Sequence, residues 1–294
     1  MFDSGFGGLT VARAVIDLMP NEDLVYMGDT GRYPYGPRPL GEVRGFAKQI
    51  ARHLIDEFDV KLLVVACNTA SAAALDALQA TSAIPVVGVI DPGVRSLVAA
   101  SRTGRVGVIG TVGTIASGAY QRAVAAMARG AGRGSTGVAD IDLTCSACPG
   151  LVEFVEKGET STDQVHVLLE RLLAPMRQAE IDTLLLGCTH YPFLARAISD
   201  VMGREVVLVS SADETAFEVR RLLIDAGLAR EPRGGACGEP AVVHRWLSSG
   251  DVAKFVELGR RLFGPELGGA EAVVWDDGQG VASRRSVAAG DAAT

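Results

Sequence analysis

The sequence predicts an α/β fold of two pseudo-symmetric lobes, each a mainly parallel sheet flanked by helices, with the active site at the lobe interface. Three observations lead there. Short continuous aliphatic runs alternate with stretches of three-to-four apolar spacing, as stacked βα units require. Glycine makes up 35 of 294 residues while aromatics are only 5%, well above the usual glycine share of ~7%, so the chain is built of small aliphatics and tight turns. And one distinctive strand end, a buried run closing on cysteine and a polar turn, occurs once in each half.

The strands are Lys61–Ala66 (KLLVVA), Val86–Ile90 (VVGVI), Val106–Ile109 (VGVI), Thr183–Leu186 (TLLL) and Val206–Val209 (VVLV). They are continuous apolar runs without alternation, the pattern of parallel strands covered on both faces. Leu40–Phe58, Thr114–Ala128, Thr162–Ala179 and Glu214–Ala226 carry the helical period and read as helices packed on a sheet. Asp91-Pro92-Gly93 is a turn-rich boundary between two strand groups. The expected division is therefore a first lobe of residues 1–91 plus 210–264 and a second of 92–209. Gly130–Gly137 (GAGRGSTG) and Glu231–Pro240 (EPRGGACGEP) read as surface loops without chemistry. Residues 265–294, rich in alanine, glycine and serine, are expected to be a poorly ordered tail in which Trp275 alone docks.

Composition narrows the function. A formal charge of −7 offers no cationic excess to neutralise phosphates, so direct nucleic-acid binding is not expected. The start Met-Phe-Asp-Ser lacks the basic and apolar regions of a signal peptide, and the longest uncharged run, Val106 to Gln121, is broken by glycines. A cytoplasmic protein with no membrane span is the expectation. Its five cysteines (Cys67, Cys145, Cys148, Cys188, Cys237) are an odd and sparse set, expected as thiols.

Chemistry concentrates at KLLVVACNTAS and TLLLGCTHYP. Each delivers a cysteine from a strand to a helix start, where unpaired N–H groups and the helix dipole favour thiolate. The successors Asn68-Thr69 and Thr189-His190 add donors suited to a carboxylate. A buried cysteine is ordinarily a small hydrophobe, but packing alone has no use for Asn-Thr or Thr-His, still less twice. A third turn, Phe2-Asp3-Ser4-Gly5-Phe6-Gly7-Gly8-Leu9-Thr10, has Thr10 where a dinucleotide fingerprint needs glycine. Gly110-Thr111-Val112-Gly113-Thr114 is a further anion-binding turn, with no acidic residue about 20 positions on to hold a ribose. No lysine follows a glycine, which excludes a Walker A loop. Cys145 and Cys148 form a C-x-x-C with no second pair to complete a zinc site and no closely flanking strand and helix. His53, His166 and His244 fall on helix-like stretches, whereas His190 stands beside Cys188. Two thiols in opposite lobes with a carboxylate site between them suit inversion of a stereocentre, one group removing a proton from one face and the other returning one to the opposite face.

These motifs resemble the cofactor-independent glutamate racemases. The matching stretches are FDSGFGGLTVARA, YMGDTGRYPYGPR, VVACNTASAAAL, VVGVIDPG, GVIGTVGTI and LLLGCTHYPFL, spread from Phe2 to about Gly264. In the wider aspartate and glutamate racemase group the second motif commonly reads Gly-Cys-Thr-Glu; Gly-Cys-Thr-His here favours glutamate. The resemblance implies that Cys67 takes the α-proton of D-glutamate and Cys188 that of L-glutamate, assisted by Asp3 and His190. It implies substrate contacts from Asp3, Ser4, Tyr35, Gly36, Asn68, Thr69, Thr111, Thr114, Thr189 and His190. A family glutamate after Cys148-Pro149 maps to Glu156, with Glu153 one offset away. No cofactor or metal is implied, and Lys48, Lys61, Lys157 and Lys254 sit in no Schiff-base motif. D-Glutamate would feed peptidoglycan synthesis, and a homodimer is the implied assembly. Some family members interact with DNA gyrase or need a peptidoglycan precursor for activation, and no residue here bears on either. Two departures stand out. The family has a full strand where this chain has two residues before Asp3, so weaker support for Asp3 is expected. Tyr33 occupies a position that is usually short and apolar. A two-lobed acidic-amino-acid binding protein and a racemase or decarboxylase of aspartate or a malonate-like acid are the competing readings.

Overall fold

A computed structural model describes residues 1–130, 141–231, 242–275 and 281–287. In chain order the first half holds β1 (Phe2–Asp3), α1 (Leu9–Leu18), β2 (Leu24–Gly28), α2 (Leu40–Phe58), β3 (Leu63–Val65), α3 (Asn68–Thr81), β4 (Val86–Gly88) and α4 (Ile90–Ala100). Next come β5 (Arg105–Gly110), α5 (Val112–Ala116), α6 (Ala119–Gly130), β6 (Asp142–Ala147), α7 (Leu151–Lys157), α8 (Asp163–Leu172), α9 (Ala174–Gln178) and β7 (Thr183–Gly187). A 3₁₀ turn at Tyr191–Leu194, α10 (Ala195–Met202), β8 (Val207–Val209) and α11 (Ala212–Asp225) lead to β9 (His244–Ser248), α12 (Val252–Leu262), β10 (Ala270–Trp275) and β11 (Val281–Val287).

The strands form two sheets. One runs β11-β10-β9-β2-β1-β3-β4 and the other β6-β5-β7-β8. Every pairing is parallel except β10 with β11. Parallel strands send all their C-terminal ends to one edge, where the loops after them gather ligands. Cys67, Thr111, Cys148 and Cys188 all lie within three residues after β3, β5, β6 and β7. The aliphatic runs are buried as the sequence predicts: Leu63, Val65, Val106, Val108, Leu184 and Leu185 are essentially solvent-free.

Several expectations are corrected. Asp91-Pro92-Gly93 is not a boundary turn but the first turn of α4, where proline's missing N–H is an orphan in any case. Thr114–Ala128 is two helices, parted at Gly118, whose φ of +69° interrupts the right-handed run. Thr162–Ala179 is likewise two, with Pro175 in the first turn of α9. His244 opens a strand rather than lying on a helix. Cys145 lies on β6 and α7 begins at Leu151, so the C-x-x-C does have a strand and a helix beside it. Residues 265–294 are not a loose tail throughout: β10 extends the larger sheet beside β9, and β11 pairs antiparallel with it. Trp275 docks as expected, its indole N–H donating to Asp29 Oδ1 at 2.8 Å. Most of Gly130–Gly137 and of Glu231–Pro240, with Cys237, lies outside the described residues.

Candidate functional site

A cavity of about 650 Å³, its open mouth included, lies where the loops of the two sheets meet. Of the residues the resemblance implies, Ser4, Tyr35, Gly36, Cys67, Asn68, Thr69, Thr111, Cys188, Thr189 and His190 line it. Asp3, Thr114 and Glu156 stand behind the lining and reach it through other side chains. Thr189 Oγ1 donates to Asp3 Oδ2 at 3.2 Å, Thr114 Oγ1 is 3.0 Å from that of Thr69, and Glu156 Oε1 is 3.5 Å from His190 Nε2. Glu153, the offset alternative, is on the lining itself, away from that ion pair.

Cys67 caps the N-terminus of α3, its sulfur accepting from the Ala70 N–H at 3.5 Å, with Ser4 Oγ 3.8 Å away. Burial, then the nearby charge of Asp3, pushes its thiol up to about 12. Asp3 is fully buried. The two-residue β1 supports it by pairing with β2 on one side and β3 on the other, and the Met1 amino group donates to Val25 O at 2.7 Å. The expected weakness of its support is therefore not found: a short strand between two neighbours is held by both. Burial raises the Asp3 carboxyl above the usual range, opposed by His190 and by the Gly5 N–H, which donates to Oδ1 at 2.7 Å.

Cys188 follows β7 in a turn closed by the Tyr191 N–H on Cys188 O at 3.0 Å. Beside it, His190 is 2% exposed. Burial opposes charge on the imidazole, yet the neighbouring Cys188 and the Glu156 carboxylate outweigh it and carry His190 up to about 10. The ring therefore holds its second proton at neutral pH. Gly7 makes room for this group. A Cβ there would stand 2.2 Å from Thr189 Oγ1 and 2.5 Å from His190 Nδ1.

The opposite wall supplies donors. Thr69, Thr111 and Thr114 place three hydroxyl oxygens within 3.0 Å of one another. Asn68 has its Oδ1 bound by the Tyr120 hydroxyl at 2.6 Å, while its Nδ2 is buried without a partner. Tyr35 contributes its ring and backbone, since its hydroxyl is committed to Asp29. An anion entering here meets unpaired donors and the first N–H groups of α3.

Sequence reasoning missed Tyr33, Cys148, Val152 and Tyr191, all on the lining, and Tyr120 behind it. Tyr33 stacks at a tilt on His190 with 6.3 Å between ring centroids, and burial with nearby Glu156 keeps its phenol protonated. The signal for Cys148 was the C-x-x-C itself: the second cysteine of that pair faces the cavity. Among the described residues no group of three or more His, Cys, Asp or Glu side chains is placed to hold a metal, and no helix is long and apolar enough to cross a membrane.

Comparison with known proteins is concordant. A family model described as Asp/Glu/Hydantoin racemase matches residues 10–217. A glutamate racemase of Acidothermus cellulolyticus is 49% identical over 268 residues, covering 91% of this chain and 95% of that protein. Among solved structures, a glutamate racemase isoform of Bacillus anthracis superposes with a TM-score of 0.82 at 38% identity, covering 94% of this chain and 96% of that one. The Francisella tularensis glutamate racemase in complex with D-glutamate gives 0.78 at 31% identity, covering 89% and 91%.

Proposed function

The chain belongs to the Asp/Glu/Hydantoin racemase family, and we propose on that footing that it interconverts L- and D-glutamate without a cofactor, Cys67 and Cys188 acting on opposite faces of the α-carbon. The observation that carries this reading is the pair of buried thiols brought from different sheets to one cavity lined with unpaired donors. Relatives named glutamate racemase, one of them in complex with D-glutamate, support the choice of substrate.

The two ends of the site differ electrostatically, and the mechanism follows from that difference. In the empty site Cys67 keeps its proton, because burial and Asp3 both disfavour a second negative charge there. It is then ready to protonate a carbanion. To act as a base it must first pass that proton to the neighbouring Asp3 carboxylate or to solvent as the substrate enters, and the substrate's α-ammonium, brought in beside it, supplies the positive charge that stabilises the thiolate left behind. At Cys188 the positive charge is built in: protonated His190 stabilises the thiolate that forms when Cys188 gives its proton to the other face of the α-carbon. The carbanion's charge spreads onto the α-carboxylate, so the donors that bind this group also stabilise the reacting state. Closure between two lobes removes water that would weaken them. None of the four lysines lines the cavity, so the chain offers no Schiff-base partner there.

The same reading sends D-glutamate to peptidoglycan synthesis in the cytoplasm and takes a second copy of the chain as partner, which light scattering on the purified protein tests. The decisive experiment is racemisation in D₂O. Both enantiomers are expected to gain α-deuterium, and Cys67→Ser and Cys188→Ser are each expected to lose racemisation by at least about a thousandfold while melting within a few degrees of wild type. No α-exchange in the wild type sinks the racemase reading, and near-normal activity in either variant removes that cysteine from the mechanism.

A further inference from the structure

Tyr120 lies on α6, among the elements of the smaller sheet, and is 1% exposed. Its hydroxyl donates to Asn68 Oδ1 at 2.6 Å, and Asn68 is the residue after Cys67. The same hydroxyl lies close to the other strand end, occupying space that only a glycine leaves open: a Cβ on Gly187, the residue before Cys188, would come within 2.9 Å of it. One phenol is thus wedged between the two cysteine-bearing turns without lining the cavity.

An amide side chain presents two donors on one side and two lone pairs on the other, and the two ends are nearly the same shape. Packing alone does not choose between them; a hydrogen bond does. Tyr120 takes the oxygen, which leaves Nδ2, buried and without a partner, as the group that Asn68 offers to the cavity it lines. For a carboxylate ligand this choice decides the sign of the interaction, because an N–H attracts the anion and a carbonyl oxygen repels it. Burial keeps the Tyr120 phenol protonated, so the O–H that donates to Asn68 Oδ1 stays available throughout the working pH range.

We propose that Tyr120 is a positioning residue for carboxylate recognition, its hydroxyl locking the Asn68 amide with the nitrogen toward the substrate and tying that lock to the turn that carries Cys188. The inference rests on the reading of this cavity as an amino-acid racemase site. The lock spans the two sheets, so it is made fully only when both cysteine turns are in place.

The test is a double-mutant cycle of Tyr120→Phe and Asn68→Ala in the full chain, with kcat and KM in both directions and melting temperature with and without D-glutamate. Tyr120→Phe is expected to raise KM about tenfold, the worth of one well-placed hydrogen bond to an ion. kcat/KM should fall equally in the two directions, since the enantiomers have equal free energy. In the Asn68→Ala background the same change is expected to do nothing further. A general packing role predicts instead a loss that is the same in both backgrounds, and that result overturns the proposal, as does wild-type KM in Tyr120→Phe. Should Tyr120→Phe fold poorly, the cycle is run with Tyr120→Met, which keeps bulk and removes the hydroxyl, and a loss that is the same in the wild-type and Asn68→Ala backgrounds again overturns the lock. If the wild type does not racemise, the reading of function fails separately. The melting-temperature rise produced by D-glutamate then remains the readout, expected in Tyr120→Phe to need about ten times more D-glutamate for the same size, and an unchanged concentration dependence refutes the lock.

Discussion

Replacing Asp29 by asparagine tests how the cavity's glycine- and proline-rich wall is held. The Asp29 carboxylate is fully buried and collects four donors. Arg32 Nε, at 2.7 Å, and the Tyr35 hydroxyl meet Oδ2; Ser249 Oγ, at 2.6 Å, and Trp275 Nε1, at 2.8 Å, meet Oδ1. It therefore fastens the segment from 29 to 37, whose Tyr35 and Gly36 line the cavity, to β10 and the end of β9. Asparagine keeps the shape but turns one oxygen into a donor, so two of the four donors lose their acceptor, and the largely buried Arg32 loses its countercharge. Hydrogen bonds to a charged group are worth about 1.5–3 kcal/mol each, and breaking a buried ion pair costs about 3–5 kcal/mol. The two figures overlap because Arg32 enters both, so about 4 kcal/mol is expected. At about 2–4 °C per kcal/mol for a chain of this size, the melting temperature should drop by about 10 °C. Trp275→Phe is the graded control. It removes one donor yet keeps a ring over the Arg32 guanidinium, which lies 4.5 Å from the Trp275 centroid, and should cost only about 1–2 kcal/mol. Scanning calorimetry with urea denaturation as a check measures both. An Asp29→Asn protein melting within about 2 °C of wild type would refute the argument, and so would a Trp275→Phe protein destabilised as much as Asp29→Asn.

Two further outcomes follow from the Cys188 turn. Gly7→Ala drives a methyl into Thr189 and His190 and is expected to lower kcat/KM by at least about a hundredfold through misplacement of the acid/base group, with activity near normal ruling out the close contact. His190 is pushed up to about 10 from about 6.5 in an unfolded chain, so the folded protein binds its proton more tightly. That stabilisation is complete below about pH 6.5 and is lost as pH rises toward 10. Wild-type unfolding free energy should therefore fall across this window more steeply than that of His190→Gln, and parallel curves would contradict a charged His190.

The parts of the fold that were legible in the sequence are those whose burial is self-sufficient. Runs such as VVGVI and TLLL are apolar enough to announce a buried strand wherever they lie. β2 (LVYMG) and β9 (HRWLS) are buried only because their neighbours satisfy them: the Tyr26 hydroxyl donates to Gly5 O at 2.9 Å, and Trp246 packs edge-on to Phe263. No window of sequence contains those partners. β10 and β11 hid for a related reason, since AEAVVW and VASRRSV sit among alanine, glycine and serine, and what makes β10 a strand is β9 beside it. The helix breaks at Gly118 and Pro175, by contrast, were written in the sequence and overlooked in favour of the apolar period.

At the site the same division holds, with one consequence for mechanism. The cysteine turns could be read because strand end, thiol and polar successor are contiguous; Cys148 carried a signal in its C-x-x-C, whereas Tyr33 and Tyr120 could not be placed, because each arrives through a different loop or helix. The sequence also makes the two turns look like copies, which suggests two equivalent thiols. Tertiary structure gives them opposite surroundings. Asp3 reaches Cys67 from β1 and makes its thiolate costly, whereas His190, held by Glu156 from α7, sets a positive charge beside Cys188. Neither Asp3 nor Glu156 is close in sequence to the thiol it influences. A symmetric reaction with an equilibrium constant of one does not require symmetric bases, because the substrate's own ammonium compensates the side that lacks a cation. On the proposed mechanism the charge balance between the two thiols, not the ratio of the two directions, then depends on where that ammonium sits relative to Asp3, and the donors around Asn68 and the three threonines would set that place by anchoring the carboxylate.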